Sequence, residues 1–221
     1  MSGRCIRPDN RYICFNKTEN MKALFLFISI AFIGLTMGFV QEALPIGSKL
    51  PKADVKMLDI SGKKISMQDA AKKNGLLVMF SCNTCPYVVK NEQRTTSMAV
   101  FAAKNNVGVI LINSNEAQRG DDDSFEAMKT YAKGLNYNWP YVIDENSVVA
   151  DAFDAKRTPE VFLFNKDMTL VYHGAIDDSP ADEMSVTRQH LREAILEMVA
   201  GKEVGVKESK SIGCTIKRKK R

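Results

Sequence analysis

The chain has 221 residues and 45% apolar side chains, enough for a packed domain core and additional segments. Its formal charge of +5 resides at the ends, because residues 43–216 carry 21 basic and 23 acidic side chains, whereas Lys217–Arg221 are all basic. A basic surface built into the fold, as nucleic-acid binding requires, is therefore not expected, and we predict no nucleic-acid partner.

The N-terminal region predicts export. Residues 23–40 form an uncharged, largely apolar stretch directly after Met21 and Lys22, as in a signal peptide. We therefore interpret residues 1–20 as an upstream extension or a cytoplasmic tail, and residues 21–42 as a cleaved signal peptide or, alternatively, a retained membrane anchor. Because basic residues precede the stretch, the main domain should be exported, periplasmic or secreted, and should contact the membrane only through this segment.

The first elements of the main domain lead to a pair of cysteines. Turn residues at Ser61–Lys64 predict a short hairpin, and a small helix follows it. The apolar run Leu76–Phe80 predicts a buried strand, and the glycine-free segment Tyr87–Lys104 predicts a helix that buries one face. Cys82 and Cys85 lie between them. A strand thus delivers two cysteines, spaced C-x-x-C, to the start of a helix.

The C-x-x-C spacing at this position favours redox chemistry. Unpaired amide groups and the positive end of the dipole at a helix N-terminus stabilise a thiolate, so we expect Cys82 to have a lowered pKa and to be nucleophilic. Zinc uses the same spacing, but a site needs two further ligands. The other candidate ligands form no second close pair: His173, His190, Cys214, Cys5 and Cys14. A purely structural disulfide is disfavoured because so short a loop barely restricts the unfolded chain.

Strands alternate with helices along the rest of the domain. The predicted elements are a strand at Val107–Ile112, a helix at Ser124–Leu135, a strand at Trp139–Ile143, a helix at Ser147–Ala155, a hairpin of Glu160–Phe164 and Leu170–His173, and a helix at Asp182–Gly201. This order predicts an α/β fold over residues 43–203, a three-layer sandwich with a central mixed β-sheet flanked by helices. Residues 204–221 are a C-terminal tail. The sequence has no nucleotide-binding motif, and we expect no cofactor and no bound metal.

Five segments of the sequence carry a resemblance to a known family. They are Cys82–Val88, Ile112–Asn115, Thr158–Pro159 with Phe162–Phe164, Leu170–Gly174 with Ile176–Asp178, and Ser211–Lys217. Together they resemble the thioredoxin fold and, more closely, a redoxin branch near the AhpC/TSA peroxiredoxins and the exported thiol-disulfide oxidoreductases. The resemblance implies that Pro159 is cis and lies against the dithiol, and that the backbone before it pairs with a substrate chain. Thr158 and Pro159 are accordingly expected to bind substrate.

The chain departs from its relatives at several places. Ser81 replaces the tryptophan that precedes the first cysteine of thioredoxins, and Leu76 stands where they carry a buried acid, so no proton acceptor is identified. Peroxiredoxins have a threonine three residues before the peroxidatic cysteine, a position that Met79 holds relative to Cys82. Copper-delivery relatives pair a C-x-x-x-C with a distal histidine, for which His173 is the candidate.

We predict an exported thiol-disulfide oxidoreductase in which Cys82 attacks a disulfide of a protein or small molecule and Cys85 resolves the mixed disulfide. An external thiol reductant or a membrane electron donor would be its redox partner. A peroxiredoxin-like thiol peroxidase acting on peroxide is one alternative, and a non-catalytic Cu(I)-binding module is another. Cys214 is expected to be a third redox cysteine, docked on the body of the domain or bridged to Cys82 or Cys85.

Overall fold

The computed structural model describes residues 43–220 together with two short strands near the N-terminus, β1 (Cys5–Ile6) and β2 (Ile13–Cys14). These two strands pair antiparallel in a unit that spans Met1–Gln41. The apolar stretch 23–40, with the predicted signal or anchor, lies outside the described residues. Among the helices that are described, none has the length and apolar character needed to cross a membrane.

The second unit, Glu42–Arg221, holds the candidate site. Its strands are β3 (Met57–Asp59), β4 (Lys64–Ile65), β5 (Leu76–Ser81), β6 (Gly108–Asn113), β7 (Tyr141–Ile143), β8 (Arg157–Thr158), β9 (Glu160–Phe164), β10 (Leu170–Gly174) and β11 (Cys214–Thr215). Its α-helices are α1 (Met67–Ala70), α2 (Pro86–Lys90), α3 (Glu92–Lys104), α4 (Phe125–Gly134), α5 (Val148–Ala152) and α6 (His190–Val199), with 3-10 turns at Glu116–Gln118, Glu145–Ser147 and Glu183–Ser185.

Seven strands form one mixed sheet in the order β10-β9-β5-β6-β7-β3-β4. The pairs β5/β6 and β6/β7 are parallel, and the other neighbours are antiparallel. Strands β8 and β11 form a separate antiparallel pair. The predicted α/β class and thioredoxin-like mixed sheet are confirmed, and the central strand β5 is the one that ends at the cysteines.

Helices cover both faces of the sheet because the strands are apolar on both sides. Leu77 and Met79 of β5 face a core that contains residues of α3, α4 and α6. Leu76, Val78 and Phe80 face a second core that contains residues of α1 and α5. Each face of the central strands is therefore sealed by helices, giving the three layers that the element order predicts.

The predicted single helix at Tyr87–Lys104 is wrong at Asn91, where the chain breaks into α2 and α3. Asn91 adopts φ −102° and ψ 5°, and its side-chain amide donates to the carbonyl oxygens of Tyr87 at 2.7 Å and Pro180 at 2.8 Å. Nearby, the buried side chains of Arg94 and Asp177 form an ion pair at 2.7 Å. These contacts tie the loop after β10 to the helix break, so tertiary hydrogen bonds override the local helical preference.

The helix predicted from Asp182 to Gly201 is wrong in its first half. The chain forms a 3-10 turn there, and α6 begins only at His190. The carboxylate of Asp182 accepts from the backbone amide of Met184, and the carboxylate of Asp178 accepts from the amide of Thr187 at 3.0 Å. Aspartates that bind nearby amides favour turns over helix, which explains the late start.

Candidate active site

The two cysteines lie where β5 turns into α2. Cys82 follows the last residue of β5, and Cys85 is the N-cap residue of α2, with Pro86 at the first helical position. Cys82 was predicted to lie at the helix N-terminus, whereas the helix begins at Pro86, four residues later. Both side chains are buried, at 1% exposure for Cys82 and 5% for Cys85. The strand and helix therefore hold a dithiol whose second cysteine benefits most from the helix end.

Thr158, in the loop that leads into Pro159, contacts both sulfur atoms. Its hydroxyl oxygen lies 3.4 Å from Cys82 Sγ, and its carbonyl oxygen lies 3.2 Å from Cys85 Sγ. The peptide bond between Thr158 and Pro159 is cis, the conformation that the resemblance implies. The structure thus brings together the dithiol and the loop that the sequence singled out.

A third cysteine joins this cluster from the C-terminal segment. Cys214 on β11 is the cross-strand partner of Thr158 on β8, and it packs against the buried cluster of Cys82, Cys85 and Val88. All three cysteines are free thiols. Gly213 allows the close approach, since a Cβ there would lie 2.2 Å from the carbonyl oxygen of Thr158. Of the two arrangements expected for Cys214, the structure has it docked on the body of the domain.

The thiol of Cys82 is hydrogen-bonded to the sulfur of Cys85, so the two groups do not lose their protons independently. The pKa of Cys85 is lowered, chiefly because the Cys82 thiol donates to its sulfur, with further donors from the Cys214 thiol, the Val88 amide and the Cys214 amide. The pKa of Cys82 is raised, first by its bond to Cys85 and then by burial. The carbonyl of Thr158 opposes charge on Cys85, but four converging donors outweigh it. The single thiolate of the pair is therefore favoured on Cys85.

Behind the dithiol lies a buried carboxylate, that of Asp123, to which the sequence assigned no role in the site. Asp123 accepts hydrogen bonds from the Asn83 amide at 2.9 Å, Asn113 Nδ2 at 2.7 Å and Asn115 Nδ2 at 2.8 Å. The Tyr141 hydroxyl donates to Asn83 Oδ1 at 3.0 Å. This network fixes the backbone between the two cysteines. The only sequence signal was the motif Ile112–Asn115, quoted for the resemblance without a role.

Asp123 also affects where the negative charge of the dithiol resides. Its carboxylate contributes to the raised pKa of Cys82 by like-charge repulsion, behind the hydrogen bond to Cys85 and burial. The carboxylate is fully buried, so water screens this repulsion little. The network therefore has two effects: its hydrogen bonds hold the backbone of the dithiol in place, and its negative charge disfavours a thiolate on Cys82.

His173, the candidate copper ligand, has other contacts. It lies on β10 and stacks on the ring of Phe162 with 5.7 Å between ring centroids, and its Nε2 lies 3.5 Å from a carboxylate oxygen of Glu208. Neither partner belongs to the cysteine cluster. Across the described residues, no group of three or more His, Cys, Asp or Glu side chains is arranged to hold a metal ion.

A thioredoxin-like sheet that carries a dithiol beside a cis-proline loop defines a redoxin. The model of the AhpC/TSA family matches residues 46–173, and the chain belongs to that family. The thiol-disulfide oxidoreductase ResA of Bacillus subtilis (strain 168) is 26% identical over 137 residues, which cover 59% of this chain and 68% of ResA.

Two solved structures are more similar in sequence. An uncharacterized conserved protein from Geobacillus kaustophilus is 34% identical with a TM-score of 0.74, and the match covers 79% of this chain and 93% of that one. A hypothetical protein from Sinorhizobium meliloti 1021 is 34% identical with a TM-score of 0.71, and the match covers 80% and 97% of the two chains. These similarities extend the shared fold beyond the family match.

Proposed function

We propose that the protein is a thiol-disulfide oxidoreductase whose active group is the dithiol of Cys82 and Cys85. The observation that carries the proposal is that both sulfurs lie within 3.4 Å of Thr158. The backbone at Thr158 already pairs with another strand, β11, which contains Cys214. A substrate chain that pairs with Thr158 in the same way would bring its own cysteine to the dithiol. The similarity to ResA supports the same reaction.

In the proposed reaction, a thiolate attacks one sulfur of a substrate disulfide and forms a mixed disulfide, releasing the other substrate sulfur as a thiolate that takes up a proton. The second thiol of the pair then loses its proton and attacks the first, so that the pair is oxidised and the substrate reduced. Electrons balance, because two thiols and one disulfide become one disulfide and two thiols. An external thiol or a membrane electron donor reduces the pair again.

We assign the attack to Cys85 and the resolving step to Cys82, the reverse of the order expected from sequence. Three features support the reversal: Cys85 caps α2, its pKa is lowered, and its sulfur is the one that contacts the chain paired with Thr158. Cys82 is more deeply buried and stands near the carboxylate of Asp123. A resolving cysteine needs access only to its neighbour, which such a position allows.

The peroxidase alternative lacks the expected hydroxyl on either assignment. The residue three positions before Cys82 is Met79, which is buried in the core, and the residue three positions before Cys85 is Cys82 itself. A hydroxyl does contact Cys82, but it belongs to Thr158, in the loop before Pro159. We therefore rank peroxide below a disulfide as the oxidant.

The test compares two reagents and two serine variants. In the full chain carrying Cys214→Ser, so that the tail thiol takes no part, loss of thiol is followed by stopped flow with a peptide disulfide and with hydrogen peroxide. We expect fast reaction with the disulfide, no reaction after Cys85→Ser, and a stable mixed disulfide after Cys82→Ser. Trapping by Cys85→Ser instead would reverse the two roles. If both reagents react with the protein no faster than with a free thiol, the proposal fails and Cu(I) binding becomes the function to test.

Export is a separate part of the proposal. It depends on the apolar stretch 23–40 after Lys22, a sequence feature only, and on the usefulness of a dithiol in an oxidising compartment. N-terminal sequencing of the protein purified from its host tests it. A mature end near residue 42 indicates a cleaved signal, and membrane-bound protein with an intact stretch indicates an anchor. A protein in the cytosol that retains this stretch would contradict export.

A further inference from the structure

The C-terminal segment Ser211–Lys217 lies across the dithiol as an extra strand. Cys214 and Thr215 of β11 pair antiparallel with Thr158 and Arg157 of β8. The pairing extends one residue further, because the amide of Ile216 donates to the carbonyl of Lys156 at 3.0 Å. The segment thus covers the backbone edge that leads into Pro159.

Side chains and backbone anchor the segment on both sides of Cys214. Before it, the Ser211 hydroxyl donates to Glu160 Oε1 at 2.9 Å. After it, the Lys217 amide donates to Asn115 Oδ1 at 2.8 Å, and the Lys217 carbonyl accepts from the Ala117 amide at 2.8 Å. Asn115 is itself bonded to Asp123, so the anchor reaches the network behind the dithiol. The position of Cys214 is therefore built into the fold.

The second cysteine of the dithiol is the one that Cys214 reaches. Cys214 is the cross-strand partner of Thr158, whose carbonyl oxygen lies 3.2 Å from Cys85 Sγ. The sulfur of Cys85 accepts hydrogen bonds from the thiols of both Cys82 and Cys214. Burial and the bond to Cys85 raise the pKa of Cys214, so this thiol is protonated while it acts as a donor. The hydrogen-bond partner of the Cys214 thiol is therefore Cys85.

We propose that Cys214 is a third redox thiol that exchanges specifically with Cys85, and that Ser211–Lys217 occupies the place of a substrate chain between turnovers. This inference rests on the proposed oxidoreductase function, which supplies the oxidised Cys82–Cys85 pair. Cys214, after releasing its proton to water, attacks Cys85 Sγ. The Cys82–Cys85 bond breaks, its electron pair goes to Cys82, which takes up a proton, and a Cys85–Cys214 bond forms. No external oxidant is consumed.

The exchange has a consequence for turnover. While Cys214 is linked to Cys85, the segment cannot leave Thr158, so no other chain pairs there. An external reductant could then attack the Cys85–Cys214 disulfide at Cys214, which is partly exposed. In the Cys82–Cys85 disulfide, by contrast, Cys82 is deeply buried. Cys214 can also take the place of Cys82 as the resolving thiol, because both neighbour Cys85.

The experiment uses the full chain carrying Cys5→Ser and Cys14→Ser, in four forms. The first adds Cys82→Ser, the second adds Cys82→Ser and Cys214→Ser, the third adds Thr215→Cys to the second, and the fourth keeps all three site cysteines. Each reacts with a peptide disulfide, and the release of the second peptide thiol is timed. Each is also oxidised with diamide, and its disulfides are mapped by mass spectrometry without reduction.

We expect the first form to release the second thiol about tenfold faster or more than the second form, which keeps the peptide on Cys85, because a neighbouring thiol has a high effective concentration. The third form should behave as the second, since residue 215 points to the opposite face of the strand. Diamide should yield a Cys85–Cys214 link in the first form, and in part of the fourth.

The outcomes separate the two proposals. If the second form traps no peptide while diamide still links Cys85 to Cys214 in the first form, the attack by Cys85 on a substrate fails and the third redox thiol stands. If the second form traps peptide, but the first releases it no faster and no Cys85–Cys214 link is mapped, the oxidoreductase stands and this inference is overturned. Equal release by the first and third forms also overturns it, because the position of the thiol would then be irrelevant.

Discussion

At the residue scale, charge in this site is controlled by a few neutral donors and one buried acid. Cys85 collects donors from Cys82, Cys214 and Val88, whereas Cys82 stands near Asp123. A thiolate surrounded by donors is stabilised without a cationic partner. The dithiol therefore gains an acidic thiol from local hydrogen bonds alone, in a core where a lysine or arginine would be costly to bury.

Replacing Cys82 by alanine should raise the pKa of Cys85. The Cys82 thiol is the largest contributor to the lowered value, and alanine offers no donor. Alkylation requires the thiolate, and a thiol with a lowered pKa stays ionised to lower pH. As the pH is lowered, the alkylation rate of Cys85 should therefore begin to fall at a higher pH in Cys82→Ala than in the parent. The midpoint of the profile should move toward the ordinary cysteine pKa of about 8.5. The measurement is the pH dependence of iodoacetamide labelling at Cys85 by mass spectrometry. Cys214→Ala should give a smaller shift in the same direction, and identical profiles for all three proteins would contradict the assignment.

Replacing Asp123 by asparagine should weaken the network and ease ionisation of Cys82. The carboxylate accepts three hydrogen bonds, and an amide would direct its own donor at one of those partners. We expect a loss of about 1–3 kcal/mol in the free energy of unfolding, measured with urea. Removal of the negative charge should also lower the pKa of Cys82, seen as faster labelling of that residue at fixed pH. Asp121→Asn, on the exposed part of the same loop, is the control, and an unchanged Asp123→Asn protein would argue against a positioning role.

At the element scale, two short strands decide how the site is covered. β8 and β11 have two residues each, and they pair across more than fifty intervening residues. Such strands carry no periodic pattern, so the sequence indicated neither one. The motif Ser211–Lys217 was quoted for the resemblance, but its place against Thr158 follows only from tertiary contacts. The strand and helix that flank the dithiol, by contrast, are predicted by an apolar run and a glycine-free segment.

Gly213→Ala should loosen the C-terminal segment and expose the dithiol beneath it. A Cβ at this position would meet the carbonyl oxygen of Thr158 at 2.2 Å, and backbone cannot yield as a flexible side chain does. We expect a loss of about 1–3 kcal/mol in stability, together with faster hydrogen exchange over residues 211–217 and faster labelling of Cys85. Gly120→Ala, where nothing lies within 4 Å of the added carbon, is the matched control. If the two variants exchange and label alike, the close approach does not hold the segment in place.

At the scale of the whole molecule, the chain after α6 runs along both faces of the sheet. Val204 is buried in the core shared with α3, α4 and α6, and Ile216 in the core shared with α1 and α5. Residues 204–221 were predicted to be a tail because they follow the last predicted helix. The α/β class, the order along the chain of the strands of the seven-stranded sheet, and the dithiol were predicted, because they depend on local patterns. The helix break at Asn91 and the polar network of Asp123 depend on distant partners, so no local signal marked them.

Ile216→Ala therefore tests whether this segment is part of the folded body. Ile216 is 3% exposed, and truncating a buried isoleucine removes apolar contacts and leaves a cavity, so the free energy of unfolding should fall by about 2 kcal/mol or more. Ile212, in the same segment but 39% exposed, provides the control, and its change to alanine should cost less than about 0.5 kcal/mol. Urea unfolding followed by tryptophan fluorescence measures both. If the segment only rests on the surface, both variants should lose equally little stability. If it is a structural strand that covers the dithiol, a change that destabilises it must also expose the sulfurs. Ile216→Ala should then speed the labelling of Cys85 as well.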